Sequence, residues 1–225
     1  MPSLRVMTYN IWLGGRGGSL LEDVVRAANV DVVLVNESPK SLVRSRRRCR
    51  RLTDSWGMRY VAGGRGAGSN LIAVAYGVHV RSTYVTTLRQ SAFQPRRGIA
   101  AAQLRVRGRL VGVVSCHLSL DAERRALEVE RVVEVASRLR GPVVVGGDLN
   151  EEPGGPSWRR LRSAGFVDHG SKDWPTFPAD EPVKRIDALL VRGAAGVRRH
   201  GDPGVDPRIQ ARASDHRPVL AVLDL

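Results

Sequence analysis

The feature that most constrains the fold is the octapeptide Val143-Val144-Val145-Gly146-Gly147-Asp148-Leu149-Asn150. Three β-branched residues in succession, after Gly141-Pro142, predict a short buried strand, and we expect the two glycines to let the backbone turn tightly. Because side chains alternate along an extended chain, Asp148 and Asn150 are predicted to face one pocket. A carboxylate beside a carboxamide suits a hard metal ion, a water molecule and a phosphoryl oxygen. Glycine, aspartate and asparagine are also ordinary turn residues, so the segment alone leaves a plain polar turn as an alternative.

Apolar periodicity predicts further strands and helices on both sides of this octapeptide. The predicted strands are residues 4–10, 31–35, 58–62, 71–75, 78–88, 99–106, 110–115, 185–191 and 219–223. The predicted helices are residues 19–29, 39–52, 121–139 and 156–161. Helices follow the early and middle strands, and a block of closely spaced strands lies between them. This order predicts an α+β fold in which two sheets pack face to face with helices outside.

The chain has 225 residues and no change of composition that resembles a linker, so we expect one domain over residues 1–225. No apolar run approaches the roughly 20 residues of a membrane span. The first predicted strand begins at Leu4 and no signal-peptide pattern precedes it, which favours a cytoplasmic location. We also expect a monomer.

Polar residues stand beside six of the predicted strands. They are Asn10, Glu37, His117, Asp148 with Asn150, Asp187, and Asp215 with His216. One such residue at a strand end usually caps a turn. Their repetition is more informative, because binding residues concentrate on loops that a scaffold holds together, and strand ends converge in a sandwich.

Six motifs that contain these residues resemble the endonuclease/exonuclease/phosphatase superfamily. They are Thr8-Tyr9-Asn10, the strand before Glu37, Ser115-Cys116-His117-Leu118, Gly147-Asp148-Leu149-Asn150, Arg185-Ile186-Asp187 and Ser214-Asp215-His216-Arg217-Pro218. The superfamily includes deoxyribonuclease I, abasic-site endonucleases, neutral sphingomyelinases and inositol polyphosphate phosphatases. The resemblance implies a four-layer α/β/β/α sandwich of two mainly antiparallel sheets, as in deoxyribonuclease I. It also implies Mg²⁺- or Mn²⁺-dependent hydrolysis of a phosphoester.

The resemblance further implies a set of metal ligands. Glu37 would be the main ligand, Asn10 would lie beside it, and Asp215 would complete the metal environment. These residue types suit Mg²⁺, which takes oxygen ligands and keeps several waters, so that few carboxylates are needed.

The same resemblance implies catalytic roles for five residues. Asp148 would position or deprotonate the attacking water, and Asn150 would hold that water or the phosphate. His216 would donate to a non-bridging oxygen, Asp187 would orient His216 through its second ring nitrogen, and His117 would contact the phosphate. A metal ion and an imidazolium supply most of the charge stabilisation that phosphoester hydrolysis requires.

Three positions bear on how closely the chain follows the family. Asn36 precedes Glu37 where the family usually has glutamine. Some nucleases pair the counterpart of His117 with an acid from the middle strands, but residues 55–120 contain no Asp or Glu, so that general-acid role is not expected here. Arg97 resembles an arginine that enters the site region of the family and is a candidate for binding phosphate; a plain surface charge is the alternative.

The charge of the chain points to polyanionic partners. The net charge is +14, with 33 Arg against 3 Lys, which favours either nucleic acid or an anionic membrane surface as a partner. Of these we expect nucleic acid as the phosphoester substrate, while an Arg-rich composition that merely reflects codon usage is the alternative. The candidate nucleic-acid contacts are Arg44, Arg47, Arg48, Arg51 and Arg96. Two alternatives stay open: a phosphatase or phosphodiesterase of lipid or inositol head groups, and a catalytically silent protein that binds a polyanion.

Overall fold

The computed structural model describes residues 3–14, 18–41, 43–88, 95–170, 174–194 and 196–225, and these form two six-stranded sheets. The first sheet has the strand order β11-β12-β1-β2-β4-β3. Its strands are β1 (Ser3–Asn10), β2 (Val32–Asn36), β3 (Arg59–Gly64), β4 (Asn70–Val74), β11 (Gly196–Gly201) and β12 (Val219–Asp224). The second sheet has the order β5-β6-β7-β8-β10-β9. Its strands are β5 (His79–Thr87), β6 (Gly98–Val106), β7 (Arg109–His117), β8 (Val143–Asp148), β9 (Val167–Asp168) and β10 (Asp187–Arg192).

Both sheets are mainly antiparallel, and each contains one parallel pair. In the first sheet β1 and β2 run parallel, and in the second β7 and β8 do so. Every other strand pairing in the two sheets is antiparallel. The polar residues that end the parallel pairs therefore meet the residues that begin their antiparallel neighbours.

Five helices cover the outer faces of the sheets. They are α1 (Gly18–Ala28), α2 (Ser45–Ser55), α3 (Ala122–Ser137), α4 (Pro156–Ser163) and α5 (Pro207–Ala213). Helices α1, α2 and α5 pack on the first sheet through one apolar cluster, and α3 and α4 pack on the second sheet through another. A third cluster lies between the sheets and includes Leu34, Val113, Val144 and Leu189. The α/β/β/α order of layers expected from the sequence is confirmed.

Several predicted boundaries are corrected by the structure. The helix expected over residues 39–52 begins only at Ser45, and Val43, expected on its inner side, is 92% exposed; Leu42, expected there too, lies outside the described residues. The backbone N–H of Arg44 donates instead to Ser41 Oγ at 3.1 Å, in a turn that precedes the helix. The sequence also missed β9, β11 and α5, because each is short and carries a weak apolar pattern.

The two glycines before Asp148 serve packing rather than a turn. Gly146 and Gly147 both lie inside β8, so the tight turn expected there is wrong. A Cβ atom on Gly147 would lie 1.7 Å from the carbonyl oxygen of Cys116 on the neighbouring strand β7. Glycine is therefore required at position 147 for the close approach of these two strands.

Among the helices of the described residues, none has the length and apolar composition needed to cross a membrane.

Candidate active site

Three of the expected site residues lie in one row across the second sheet. His117 ends β7 and is in register with Asp148, which ends β8, and Asp148 is in register with Asp187, which begins β10. Residues in register on neighbouring strands present their side chains to the same face. The row therefore brings one imidazole and two carboxylates together at one end of the sheet, although β10 begins 39 positions after Asp148.

Asn36, at the end of β2, joins the two sheets at this point. Its Oδ1 accepts a hydrogen bond from the backbone N–H of Asp148, and its Nδ2 donates to Asn70 Oδ1 and to the carbonyl of Cys116, all at 2.8 Å. Asn36 is fully buried. Asn36, which stands where the family usually has glutamine, is thus a structural link between β2, β4, β7 and β8. Its hydrogen bond to the backbone of Asp148 fixes the position of that residue relative to the first sheet.

The residues of the two sheets border one pocket of about 520 Å³. It is lined by Glu37, Arg97, His117, Leu120, Asp148, Asn150, Glu151, Glu152, Phe177, Lys184, Ile186 and His216. Six expected site residues are therefore on its surface: Glu37, Arg97, His117, Asp148, Asn150 and His216. Asn10 and Asp187 contact two of these residues, Asp148 and His216 respectively.

His216 is held by Asp187 and Phe177. Nδ1 of His216 lies 2.8 Å from Asp187 Oδ2, and the Phe177 ring lies 4.8 Å from the imidazole, centre to centre. Asp187 is fully buried, and its Oδ1 has no hydrogen-bond partner among the described residues. Burial alone would lower the pKa of His216, but the charge and hydrogen bond of Asp187, followed by the charges of Asp148 and Asp215, raise it to about 9. His216 is therefore an imidazolium at neutral pH, with Nε2 directed at Asp148 Oδ2, 3.8 Å away.

Asp148 is 2% exposed and accepts several hydrogen bonds. Its Oδ1 accepts from the backbone N–H of Asn150 at 2.9 Å, and its Oδ2 accepts from Asn10 Nδ2 at 3.1 Å. Burial and the nearby charge of Asp187 raise the pKa of Asp148 to about 7, against the lowering effects of His216, Asn150 and Asn10. A carboxylate with this pKa is poised to accept a proton near neutral pH.

His117 lies between one acid from each sheet, Glu37 just after β2 and Asp148 at the end of β8. Its Nε2 is 3.3 Å from Asp148 Oδ2, and its Nδ1 is 4.0 Å from Glu37 Oε1. Burial holds the pKa of His117 well below its usual value, and the positive charges of Arg97, His216 and Lys40 lower it further. His117 is therefore a neutral imidazole at pH 7.

Glu37 and Asn10 offer oxygen atoms that suit a divalent cation. Glu37 follows β2 in a left-handed conformation with φ of 56°, and its side chain is 27% exposed at the pocket. Such a conformation is costly for a residue other than glycine and is often found at functional sites. Asn10 Oδ1 accepts from the backbone N–H of Trp12 at 3.2 Å, which leaves its second lone pair. This donor set fits Mg²⁺ or Mn²⁺ with water in the remaining positions.

A different set, Asp148, Asp187 and His216, brings its ligand atoms within 4.8 Å of one another. We assign a proton rather than a metal ion to this set. The imidazole nitrogen nearest Asp187 is already hydrogen bonded, and the imidazolium form of His216 repels a cation.

The remaining expected residues differ in their distance from the pocket. Asn150 lines it, has a φ of 49°, and donates from Nδ2 to the carbonyl of Leu118 at 2.8 Å. Asp215 adjoins His216 and helps to raise its pKa, and its Oδ1 lies 3.4 Å from Ser214 Oγ. Arg97 lines the pocket; burial lowers its pKa, and the charges of Asp148, Glu128 and Glu37 oppose that effect. Arg97 thus lines the pocket together with the acids Glu37 and Asp148.

The basic residues proposed from the sequence divide into two groups. Arg44, Arg47, Arg48 and Arg51 are exposed at or just before α2, and no described residue of that group lines the pocket. Arg96, next to Arg97, lines a separate cleft together with Lys40 and Arg65.

A network behind the pocket was missed by the sequence reasoning. Glu128, on α3, accepts from the backbone N–H and the hydroxyl of Ser119, both at 2.6 Å. Arg125, one turn earlier, donates to the carbonyls of Ser119 and Leu120 at 2.9 and 2.8 Å and pairs with Glu151 at 3.2 Å. These contacts tie the turn after His117 to the loop after Asn150. The available signal was a glutamate on the inner side of α3, beside the buried Val129 and Val132.

Comparisons with known proteins agree with the fold and the motifs. The model of the Endonuclease/Exonuclease/phosphatase family matches residues 7–216. No curated protein gives a significant match. A mannosyl-6-phosphatase of Bacteroides thetaiotaomicron VPI-5482 superposes with a TM-score of 0.78 at 18% identity, covering 99% of this chain and 100% of that one. A family protein from Bacteroides thetaiotaomicron gives 0.77 at 17% identity, over 99% and 98% of the two chains. Truncated TDP2 of Caenorhabditis elegans gives 0.65 at 20% identity, over 99% and 98%.

Proposed function

Because the chain belongs to the endonuclease/exonuclease/phosphatase family, a family of phosphoester hydrolases, we propose that it is a divalent-metal-dependent phosphodiesterase acting on nucleic acid. The observation that carries the proposal is the pair formed by Asp148 and His216, which line one pocket together with Arg97. The two side chains are 3.8 Å apart, and their environments separate their pKa values to about 7 and about 9. Such a separation assigns a base and a cation to one site.

Asp148 is the proposed general base. It accepts a proton from the water that attacks phosphorus, while Asn150, whose backbone N–H orients the carboxylate, holds the water or a phosphoryl oxygen with its side chain. The bond from the water oxygen to phosphorus forms as the bond to the leaving oxygen breaks, and the leaving oxygen departs with the electron pair and takes a proton from solvent water. His117, as a neutral imidazole 3.3 Å from Asp148, contacts the phosphate without supplying a proton.

His216 and Arg97 are the proposed cations for the transition state. The His216 imidazolium donates from Nε2 to a non-bridging oxygen, and Asp187 keeps the ring protonated and oriented through Nδ1. Arg97, which lines the same pocket, binds the same phosphoryl group. Fixed positive charge at these oxygens is the largest contribution to catalysis of phosphoryl transfer.

Glu37 and Asn10 are the proposed ligands of the divalent cation, with Asp215 nearby. A bound Mg²⁺ or Mn²⁺ would stabilise negative charge on the phosphoryl oxygens and lower the pKa of the neighbouring Asp148. Glu37 suits this role because its carboxylate is at the pocket surface and is held there by a left-handed backbone.

The net charge of +14 and the basic side chains Arg97 and Lys184 in the pocket support nucleic acid as the substrate. A second candidate is a lipid or inositol head-group phosphoester. One observation favours it: Trp12 and Leu13, two and three residues after the candidate ligand Asn10, are 41% and 49% exposed. An apolar pair at the edge of a site suits contact with a membrane surface.

A panel of substrates tests the proposal. Plasmid DNA, single-stranded DNA, RNA, an abasic duplex, mannose 6-phosphate, inositol phosphates and sphingomyelin vesicles are incubated with the protein and Mg²⁺. The variants Asp148→Asn and His216→Ala, purified identically, control for contaminating nucleases. We expect hydrolysis of nucleic acid that chelation abolishes and that falls by about 10²-fold or more in each variant. Hydrolysis of a small phosphoester in preference to every nucleic acid would refute the nuclease assignment, and activity that persists in EDTA would refute the metal dependence.

A further inference from the structure

A second cleft adjoins the catalytic pocket. It has a volume of about 500 Å³ and is lined by Lys40, Ser41, Arg65, Ser69 and Arg96. The described residues that line it are three cations and two hydroxyl donors, with no carboxylate among them. A cleft of this composition is suited to an anion that accepts several hydrogen bonds, as a phosphate group does.

The cleft and the catalytic pocket share two short segments of chain. Arg96 lines the cleft and Arg97 lines the pocket, and the Cα atoms of consecutive residues are about 3.8 Å apart. Glu37 lines the pocket, and Lys40 lines the cleft three residues later. One extended ligand can therefore occupy both spaces.

Hydrogen bonds to the start of α2 hold two walls of the cleft. The backbone N–H of Arg65 donates to Ser45 Oγ at 3.1 Å, and Arg48 Nη1 donates to the carbonyl of Lys40 at 3.3 Å. Arg48, expected from the sequence to contact nucleic acid, thus braces the segment that carries Lys40.

The remaining walls are fixed to one another by close backbone contact. Gly68 has a φ of 63°, and a Cβ atom there would lie 2.4 Å from the carbonyl carbon of Arg97. The backbone N–H of Ser38 donates to the carbonyl of Ser69 at 2.9 Å. The backbone that carries the cations is therefore held in place before any ligand binds, which reduces the entropic cost of binding.

We propose that this cleft binds a second phosphate of the substrate, next to the phosphoester held in the catalytic pocket. The ligand chemistry is a phosphate group one linkage away from the scissile phosphoester. Nucleic acid carries such a group in every strand longer than a dinucleotide, and inositol polyphosphates carry one on the same ring. The proposal rests on the proposed function, because it needs the catalytic pocket to hold a phosphoester. A cleft of this kind would favour substrates with two neighbouring phosphates over sugars that carry a single phosphate.

The test compares substrates that differ by one phosphate. Thymidine dinucleotide with its internal phosphodiester alone is compared with the same dinucleotide carrying a terminal phosphate on the 5′ or on the 3′ side. A second arm compares inositol monophosphate with inositol bisphosphates. The protein, the double variant Lys40→Ala with Arg96→Ala, and the control Arg109→Ala are assayed for kcat/KM. Arg109 is exposed and begins β7 at the end opposite His117, roughly 26 Å away at about 3.3 Å per residue.

We expect the parent to prefer one of the doubly phosphorylated dinucleotides by about tenfold or more, and the double variant to lose most of that preference while Arg109→Ala keeps it. A preference confined to the inositol arm would identify inositol polyphosphates as the source of the second phosphate. A parent with no preference in either arm, or a double variant that retains the parent's preference, would overturn the proposal.

A binding measurement separates failure of this proposal from failure of the proposed function. The affinity for thymidine 3′,5′-bisphosphate, measured by calorimetry, requires no turnover. A dissociation constant that rises about tenfold in the double variant and stays unchanged in Arg109→Ala supports the cleft even if none of the substrates is hydrolysed. Equal dissociation constants in the parent and the double variant would contradict it, whatever the activity.

Discussion

Replacing Asp187 with asparagine should shift the whole pH profile of activity to lower pH. Among the groups that raise the pKa of His216, Asp187 has the largest effect, and it also raises the pKa of Asp148. The active form requires Asp148 ionised and His216 protonated, so kcat/KM of the parent should rise through about pH 7 and fall through about pH 9. Because the two groups interact, these limits belong to the pair, and a bound divalent cation moves the acid limb lower still.

The structure sets the size of the effect. A rise of the His216 pKa from 6.5 to about 9 corresponds to about 3 kcal/mol of preference for the imidazolium. Without the Asp187 charge, burial of the ring favours the neutral imidazole, so the alkaline limb should move from about pH 9 to pH 7 or below. At pH 8 the variant should therefore lose at least about tenfold in kcat/KM, and part of that loss should be recovered as the pH is lowered, because the pKa of Asp148 falls as well.

Two measurements check this prediction. One is the pH dependence of kcat/KM on the preferred substrate of the panel. The other is NMR titration of the His216 imidazole, assigned with His216→Ala, which reports the pKa without turnover. Asp180→Asn serves as a control, since Asp180 is an exposed acid in the same segment between β9 and β10. A variant that loses activity uniformly at every pH, with an unchanged His216 titration, would refute the electrostatic role of Asp187.

Three further predictions follow from other contacts. Glu37→Gln keeps the shape of the side chain and removes its charge, so Mn²⁺ affinity measured by calorimetry should fall at least about tenfold; an unchanged affinity would place the metal elsewhere. Asn36→Ala removes three buried hydrogen bonds, two of them between the sheets, and should lower the free energy of unfolding in urea by about 2–4 kcal/mol; a loss below about 0.5 kcal/mol would contradict its linking role. Glu128→Gln weakens the hold on Ser119, so kcat should fall several-fold with little change in KM, and steady-state kinetics with a parent-like kcat would show that the turn after His117 needs no such support.

The local sequence predicted which polar residues would meet at one end of the sandwich. Asn10, Glu37, His117 and Asp148 each end or directly follow a strand whose apolar residues are recognisable in the chain, and the structure places all four together at one end of the sandwich. The reason is that strand ends are set by local pattern, and two packed sheets bring such ends together. The layer order followed from the same pattern.

The tertiary structure alone decided the protonation states and the supports of the site. Whether His216 is an imidazolium depends on its burial and on its 2.8 Å distance from Asp187, a residue 29 positions away. The link made by Asn36 and the cleft beside Arg96 likewise join segments that are distant along the chain. Electrostatic energies and hydrogen bonds vary steeply with distance and burial, and neither quantity is written in the spacing of residues along the sequence.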